Sequence, residues 1–393
     1  MAQTNSNYNK LINHENGKEY QIDHLQTCCT EFNEPLVAQY ALDKSQPNDH
    51  IQKDDDSMWR YKSMLPILDD KHIISLGEGM TPILDFKTLA GEYGFNKLAV
   101  KEESANPTGS FKARGLSMAV SKAYELGANE FCIPTAGNAG SALSAYCAKA
   151  GLKAHIFMPR ATPKVFQIDC RVMGAEVSLI DGSISDAGKA MREANADGQW
   201  FDVTTLKEPF RLEGKKTMGY EIAEQRDWKV PDVIVYPTGG GTGLIGIWKA
   251  FKEMKEMGWI DTIPTRMVAV QTNGCDPIVQ AFNSGLHEST PFQNPAITIA
   301  NGLRVPHAFG HKLILKTLYE SKGCAVGVSE DEMVGAIREL SEREGLFVSP
   351  EGAAVWHATK SLRQQEWIKE SDDVLMLNTG SGYKYIENLF DIF

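Results

Sequence analysis

Short apolar runs alternate with amphipathic segments along most of this chain. From about residue 96 onward, the β-branched and aromatic runs predict strands, and apolar residues at three- and four-residue spacing predict helices. The predicted strands are 97–102, 130–134, 154–158, 176–181, 200–204 and 232–236, and the predicted helices are 111–126, 140–150, 163–173, 184–196 and 244–254. This alternation is typical of an α/β fold with mainly parallel strands. Ligands in such folds bind beyond the carboxyl ends of the strands.

One lysine lies where a predicted helix begins. Lys112 follows the turn-forming sequence NPTG and the capping residue Ser110, and it opens the helix predicted over 111–126. The positive end of the helix dipole disfavours an ammonium group there, so we expect a lowered pKa for Lys112. A lysine amine that readily loses its proton can attack an aldehyde and form a Schiff base. The alternative interpretation is a solvated lysine in an ordinary first helical turn.

A glycine-rich loop, PTGGGTG over residues 237–243, joins the predicted strand 232–236 to the helix 244–254. Glycines let backbone amides approach an anion, and the helix N-terminus favours its negative charge. The loop matches the G-x-G-x-x-G pattern of dinucleotide sites poorly and lacks the lysine of Walker A. It predicts a cradle for a small phosphate ester, made by Gly239, Gly240, Gly241, Thr242 and Gly243, although a plain strand-to-helix turn would use the same residues. A Schiff-base lysine with such a cradle indicates pyridoxal 5'-phosphate.

Composition and charge narrow the class of protein. The 393 residues are 42% hydrophobic and 23% charged, which is a globular profile. The net charge of −11 argues against nucleic acid or an anionic membrane as partner, and no apolar run approaches the ~18–20 residues of a membrane span. The N-terminus has no apolar signal core, and the seven scattered cysteines are typical of reduced thiols. We therefore expect a cytoplasmic enzyme acting on a small molecule.

Four motifs resemble those of the tryptophan-synthase-β superfamily, the fold type II pyridoxal-phosphate enzymes. They are SLGEGMTPI over 75–83, NPTGSFK over 106–112, EGKKTMGYE over 213–221 and TGSGYK over 379–384. The last is similar to the T-G-x-G-L-K segment of threonine synthases, which the chain resembles most closely within the superfamily. The resemblance implies pyridoxal 5'-phosphate as cofactor and an amino acid as substrate.

The resemblance also implies a domain organisation. It predicts two mainly parallel α/β domains with the active site between them. Residues 61–110 and 211–393 would form a large cofactor-binding domain, and residues 111–210 a small mobile domain. Residues 1–60 would form an N-terminal extension, polar and irregular up to about residue 35. A homodimer is compatible with this organisation.

Roles for the cofactor-binding residues follow from the same resemblance. Lys112 would hold the cofactor covalently and then serve as general base and acid. Asn138 would hydrogen-bond the ring hydroxyl of the cofactor, although Asn at this position is also a favourable helix cap. Thr379, with Ser381 nearby, would face the pyridine nitrogen. Glu351 lies in a segment that resembles one near the cofactor in the superfamily, without an assigned role.

Substrate-binding residues are implied in two places. The backbone amides of residues 135–139, with Thr135, Ala136 and Gly137 as the named binding residues, would hold the substrate carboxylate at the start of the following helix. A substrate phosphate would need a cation, and Lys384 is the first candidate because it ends the TGSGYK motif. Arg160 and Lys215 are the other candidates.

The N-terminal extension resembles a zinc ribbon that has lost its metal. Many relatives carry two Cys-x-x-Cys pairs ahead of the catalytic core, whereas here Cys28 and Cys29 are adjacent and no cysteine lies in residues 13–20. A four-thiolate site cannot be built from these residues. His14 and His24 could join the cysteines, but the poor ligand set predicts no metal.

Three departures from the threonine synthase pattern bear on the substrate. Ala113 replaces an aspartate after the lysine, Ala139 replaces a threonine after Asn138, and the glycine loop is more like that of a dehydratase. The predicted reaction is O-phospho-L-homoserine and water to L-threonine and phosphate. The alternatives are a serine/threonine dehydratase or related amino-acid lyase, and a catalytically silent relative, against which the intact Lys112 argues.

Overall fold

A computed structural model describes residues 6–29 and 31–393. Its strands are β1 (Tyr8–Asn13), β2 (Glu19–Tyr20), β3 (Leu36–Tyr40), β4 (Ile83–Asp85), β5 (Lys97–Glu102), β6 (Glu130–Pro134), β7 (Lys153–Pro159), β8 (Glu176–Ile180), β9 (Phe201–Asp202), β10 (Val233–Pro237), β11 (Arg266–Thr272), β12 (Cys324–Val328) and β13 (Asp373–Asn378). Its helices are α1 (Lys87–Tyr93), α2 (Lys112–Glu125), α3 (Asn138–Ala150), α4 (Lys164–Val172), α5 (Ile184–Ala194), α6 (Phe210–Glu224), α7 (Thr242–Met257), α8 (Pro277–Asn283), α9 (His311–Glu320), α10 (Glu330–Glu344), α11 (Pro350–Gln364) and α12 (Ile386–Leu389). Each predicted strand and helix is present, with ends shifted by a few residues.

The larger sheet has six strands in the order β12-β11-β10-β13-β5-β4. All neighbouring pairs are parallel except β4 and β5. Strand β10 is buried along its whole length because helices cover both faces of the sheet. Ile234 and Tyr236 pack into one core with α6 and α7, whereas Val233 and Val235 pack into another with α10 and α11. The α/β class predicted from the sequence is confirmed.

A second, four-stranded parallel sheet has the order β8-β7-β6-β9. Phe131 and Ile133 of β6 pack against α2 and α3 on one face. On the other face, Cys132 packs against Ala187 and Met191 of α5. This sheet lies inside the predicted small domain, residues 111–210, whose limits and mobility stay a prediction.

The N-terminal segment contains a third sheet, antiparallel, in the order β2-β1-β3. The prediction of irregular structure up to residue 35 is therefore wrong for β1 and β2. Strand β1 forms because it pairs with β3, which is distant in the sequence. Leu11 of β1 is buried against Ala38 and Tyr40 of β3. Tyr40 also donates a hydrogen bond of 2.7 Å to Glu213 Oε2 and so fixes this sheet to α6.

In the part of the chain that the structure describes, no group of three or more His, Cys, Asp or Glu side chains is placed to hold a metal ion. Cys29 is buried and accepts a hydrogen bond of 2.8 Å from the Tyr20 hydroxyl. The lack of a structural zinc stays a prediction. Within the described residues there is also no helix with the length and apolar character needed to cross a membrane.

Candidate active site

A cavity of about 450 Å³ lies between the two parallel sheets. Segments that follow β5, β6, β10 and β13 line it, represented by Lys112, Thr135, Gly239 and Thr379. A short antiparallel bridge between Ser110 and Gly380 draws two of these segments together. The carboxyl ends of the strands therefore meet at one place, as expected for an α/β fold. The volume suits a cofactor together with a small substrate.

Lys112 is the first residue of α2 and reaches into this cavity. Its amine lies 4.1 Å from the centre of the Phe111 ring, which packs edge-on against Tyr236 of β10. The pKa of Lys112 falls to about 7, chiefly because the amine is removed from water and then because Arg211 is nearby. The predicted direction is right, but burial and a neighbouring cation are the main causes, where the sequence suggested the helix dipole. An amine with this pKa is largely available as a nucleophile near neutral pH.

The glycine loop presents unpaired backbone donors at the start of α7. The N–H groups of residues 239–243 donate no hydrogen bond within the described residues. Gly241 has a φ of +78°, a left-handed conformation that favours glycine. A side chain at Gly240 would come within 2.6 Å of Thr205, which also lines the cavity. Residues 239–242 line the cavity and Gly243 lies behind them against Tyr236, so the loop offers an anion its backbone amides and the Thr242 side chain.

The segment that leads into α3 offers a second set of backbone donors. Thr135 Oγ1 accepts hydrogen bonds from the N–H groups of Gly137, at 3.0 Å, and Gly140, at 3.2 Å. Thr135 therefore shapes the loop. Because the Gly137 N–H is already paired, it is not available to a ligand, in contrast to the prediction from the sequence. The N–H groups of Ala136, Asn138 and Ala139 donate to no described residue and line the cavity.

Of the three residues predicted from the C-terminal motif, only Thr379 lines the cavity. Thr379 lines the cavity, and its carbonyl accepts a hydrogen bond of 3.0 Å from the Phe111 N–H. Ser381 does not line the cavity, because its hydroxyl caps the short helical turn that follows. Lys384 also lies outside the cavity, where it pairs with Asp169 at 2.8 Å and donates to the Thr108 carbonyl at 2.8 Å. The structure thus does not bring Lys384 or Ser381 to the site.

The other two candidate cations are also engaged elsewhere. Arg160 lies on the surface and pairs with Asp181 at 2.6 Å. Lys215 is fully buried behind Phe111 and donates to the Phe111 carbonyl. Burial first, then the charge of Lys112, holds the pKa of Lys215 well below its ordinary range. Neither residue lines the cavity.

Comparison with known proteins assigns the family. Residues 74–380 match the family model described as "Pyridoxal-phosphate dependent enzyme". The chain belongs to this family. It is 33% identical to the threonine synthase of Methanocaldococcus jannaschii over 94% of this chain and 91% of that protein, and 33% identical to the threonine synthase of Methanosarcina acetivorans over 96% and 92%.

Among solved structures, the chain resembles maize serine racemase with a TM-score of 0.65, at 23% identity over 80% of this chain and 94% of that one. It also resembles threonine deaminase isoform 2 from Solanum lycopersicum with a TM-score of 0.66, at 19% identity over 79% of this chain and 82% of that one. These structures show the fold, and the prediction of fold type II is confirmed.

The cavity of this pyridoxal-phosphate dependent enzyme fits its cofactor group by group. Lys112 can take the aldehyde, the unpaired amides of residues 239–242 can take the phosphate, and Thr379 and Asn138 offer polar side chains to the ring. The Oδ1 atom of Asn138 is buried and has no hydrogen-bond partner within residues 6–29 and 31–393. An unsatisfied buried acceptor in a cavity indicates a ligand that donates to it.

The sequence analysis missed several residues of the site. Arg211, Lys207 and Tyr385 line the cavity, as does Glu351, for which no role was assigned. Two of these residues are adjacent in sequence to the motifs. Arg211 precedes the EGKKTMGYE segment by two positions, and Tyr385 directly follows Lys384. Their importance depends on contacts with residues far away in the sequence, which the motifs do not encode.

Proposed function

We propose that the protein is a threonine synthase, which converts O-phospho-L-homoserine and water to L-threonine and phosphate. The observation that carries this proposal is a buried arginine in the cavity, Arg211, whose guanidinium could hold an anion in addition to the backbone amides of the glycine loop. The curated threonine synthases that match almost the whole chain support the same reaction.

Arg211 is a buried arginine whose guanidinium makes no salt bridge with any described residue. The residue is only 1% exposed. One guanidinium nitrogen donates to the Val203 carbonyl at 2.6 Å, and the Nε atom has no partner in the described chain. A buried guanidinium normally pairs with a carboxylate or a phosphate. Glu208 and Asp202 act on the charge of Arg211 without a direct salt bridge, and we propose the substrate phosphate as its direct partner.

Lys207 supports anion binding at Arg211. It is half-buried at the cavity, its amine lies 5.5 Å from the centre of the Phe309 ring, and it makes no salt bridge in the described part of the chain. A dehydratase acts on a substrate without phosphate and would need neither cation. The pair Arg211 and Lys207 therefore favours a phosphorylated amino acid over threonine or serine.

The remaining groups place the substrate for proton transfer. The free amides of Ala136, Asn138 and Ala139, at the N-terminus of α3, would hold the α-carboxylate. When bound, pyridoxal phosphate supplies an electron sink for negative charge that develops next to the substrate nitrogen. Lys112, with a pKa of about 7, can both accept and return protons near neutral pH.

The atom balance of the proposed reaction shows which protons Lys112 would have to transfer. Protons leave the α- and β-carbons, phosphate leaves the γ-carbon with the C–O electrons, and the γ-carbon gains a proton to become a methyl group. Water then adds its hydroxide to the β-carbon, its remaining proton goes to the released phosphate, and the α-carbon regains a proton. We propose that the Lys112 amine moves these protons, while Arg211 and Lys207 hold the phosphate as it leaves.

A parallel assay tests the reaction. Purified protein supplied with pyridoxal phosphate is incubated separately with O-phospho-L-homoserine, L-threonine and L-serine. We expect phosphate and threonine in equal amounts from the first substrate and little keto acid from the other two. Formation of 2-oxobutanoate from threonine without phosphate release from O-phospho-L-homoserine would instead establish the dehydratase alternative.

The cellular setting remains part of the proposal. We expect the enzyme to act in the cytoplasm on a free amino acid, without nucleic acid or membrane as partner. The acidic net charge and the seven cysteines, all of them free thiols, are in keeping with that setting. A homodimer is the assembly we propose, and sedimentation equilibrium would test it.

A further inference from the structure

Asn138, Tyr385 and Glu351 form a chain of hydrogen bonds in the lining of the cavity. Asn138 Nδ2 donates to the Tyr385 hydroxyl at 3.1 Å, and this hydroxyl donates to Glu351 Oε1 at 3.0 Å. The same carboxylate oxygen accepts the Gly302 N–H at 2.8 Å. The residues come from α3, α11 and two short helical turns, so the chain joins segments on both sides of the cavity. The proposed reaction gives no role to Tyr385 or Glu351.

The donors and acceptors in this chain fix its direction. A backbone N–H can only donate, so Glu351 Oε1 serves as an acceptor. In the structure the Tyr385 hydroxyl donates to Glu351, as it does when this carboxylate is ionised, and its oxygen accepts from Asn138. Asn138 must therefore turn its NH₂ group to Tyr385. Its Oδ1 atom is the free end of the amide, and this atom is buried without a partner in the described residues.

The chain is also held in place by packing. Tyr385 is 2% exposed, and its ring meets that of Phe166 edge-on with 5.8 Å between the centres. Burial, with Glu351 adjacent, raises the pKa of Tyr385 well above its ordinary range, so the hydroxyl keeps its proton. Little freedom remains for the Asn138 amide to rotate.

We propose that Tyr385 and Glu351 are positioning residues that fix the side-chain amide of Asn138 against the ring of the cofactor. Together they hold the Asn138 amide in one orientation beside the oxygen of the cofactor ring. The proposal rests on the cofactor assignment alone and is independent of which amino acid is the substrate.

Binding of pyridoxal phosphate to the apoprotein, measured by equilibrium dialysis, tests this role without reference to turnover. Tyr385→Phe keeps the ring and removes the link, and we expect about tenfold weaker binding, the usual cost of one buried hydrogen bond in a polar chain. Glu351→Gln retains an oxygen that can accept from both Gly302 and Tyr385, so its affinity should stay within about twofold. Tyr383→Phe is the matched control, since Tyr383 is 71% exposed two residues away.

A double-mutant cycle separates positioning from a general structural effect. If Tyr385 acts through Asn138, Tyr385→Phe should cost nothing further in an Asn138→Ala background. Glu351→Ala, tested in the same cycle, provides a second variant should Tyr385→Phe fold poorly in thermal unfolding. Additive losses, or unchanged affinity in Tyr385→Phe, would overturn the proposal. If the losses of cofactor affinity are additive but the wild type still releases phosphate from O-phospho-L-homoserine, the positioning role is wrong and the proposed function is unaffected.

Discussion

Two groups of buried charges in this protein have opposite arrangements. The core group consists of Lys101, Glu103, Arg114 and Glu221, whose side chains are all 0% exposed and joined in salt bridges. The cavity group consists of Lys112 and Arg211, which make no salt bridge among the described residues. Both groups lie close together, because α2 contributes Arg114 to the first and Lys112 to the second.

We interpret this difference in salt bridges as a difference in role: the core group stabilises the fold, and the cavity group binds a ligand. In the core group, Arg114 donates to Glu103 at 2.7 Å and also pairs with Glu221. Burial alone would raise the pKa of Glu221, but Arg114 and Lys101 lower it to about 2. In the cavity, burial lowers the pKa of Lys112, and the nearest carboxylate offsets this only in part. In these two groups, pairing within the chain goes with a place in the core, and its absence goes with a place in the cavity.

The largest effect should come from removing the cavity amine. Lys112→Ala should reduce turnover by at least ~10⁴-fold, since it removes both covalent attachment and proton transfer. Steady-state release of phosphate from O-phospho-L-homoserine measures the loss. The midpoint of urea unfolding should not fall, because no interaction in the core is removed. A strongly destabilised Lys112→Ala protein would place this lysine with the core group.

Removing the core cation should have the reverse pattern. Arg114→Ala leaves the buried Glu103 carboxylate without its cation and Glu221 with Lys101 alone, and we expect it to lower the free energy of unfolding by about 3–5 kcal/mol. Urea denaturation provides the measurement. Arg160→Ala is the control, because its salt bridge with Asp181 is exposed to solvent and should contribute little to stability. Equal losses in the two variants would contradict the assignment of Arg114 to the scaffold.

Arg211→Gln sharpens the comparison because it removes a buried but unpaired charge. The KM for O-phospho-L-homoserine should rise by about 10²-fold, the value of one or two charge-assisted hydrogen bonds. The affinity for pyridoxal phosphate and the free energy of unfolding should change little. A loss of stability comparable with that of Arg114→Ala, without a change in KM, would show that Arg211 is structural.

The smallest effect is a difference in pH dependence. In the folded apoprotein Lys112 loses its proton near pH 7, whereas in the unfolded chain it does so near its ordinary value of 10.5. The unfolded state binds more protons between these values, so the contribution of Lys112 to stability rises with pH there, by up to ~1.4 kcal/mol per pH unit. The unfolding free energy of the wild type relative to Lys112→Ala should therefore increase by about 1–2 kcal/mol from pH 7 to 8.5. Parallel pH curves would mean that Lys112 has an ordinary pKa.

Much of the fold was predictable because its signals are local. The strand–helix alternation after residue 96, the start of α2 at Lys112 and the glycine loop before α7 each depend on residues that are neighbours in the chain. The small antiparallel sheet at the N-terminus was missed because its strands β1 and β3 are separated in sequence and are stabilised by contacts between them. For the candidate site, Lys112, Thr379 and the glycine loop were predicted and do line one cavity, whereas Lys384 and Ser381 do not.

The sequence by itself determined which chemical groups this protein carries, namely a lysine at a helix start, a glycine loop before a helix and the motifs of a pyridoxal-phosphate dependent enzyme. Only the tertiary structure decided which charges remain unpaired. Lys384 has Asp169 as partner and is excluded from the site, while Arg211 makes no salt bridge in the described chain and lines the cavity. The pKa of Lys112 likewise follows from burial and from Arg211, not from its position in the helix. The physical reason is that desolvation and ion pairing depend on residues brought together by folding, which a local sequence pattern does not specify.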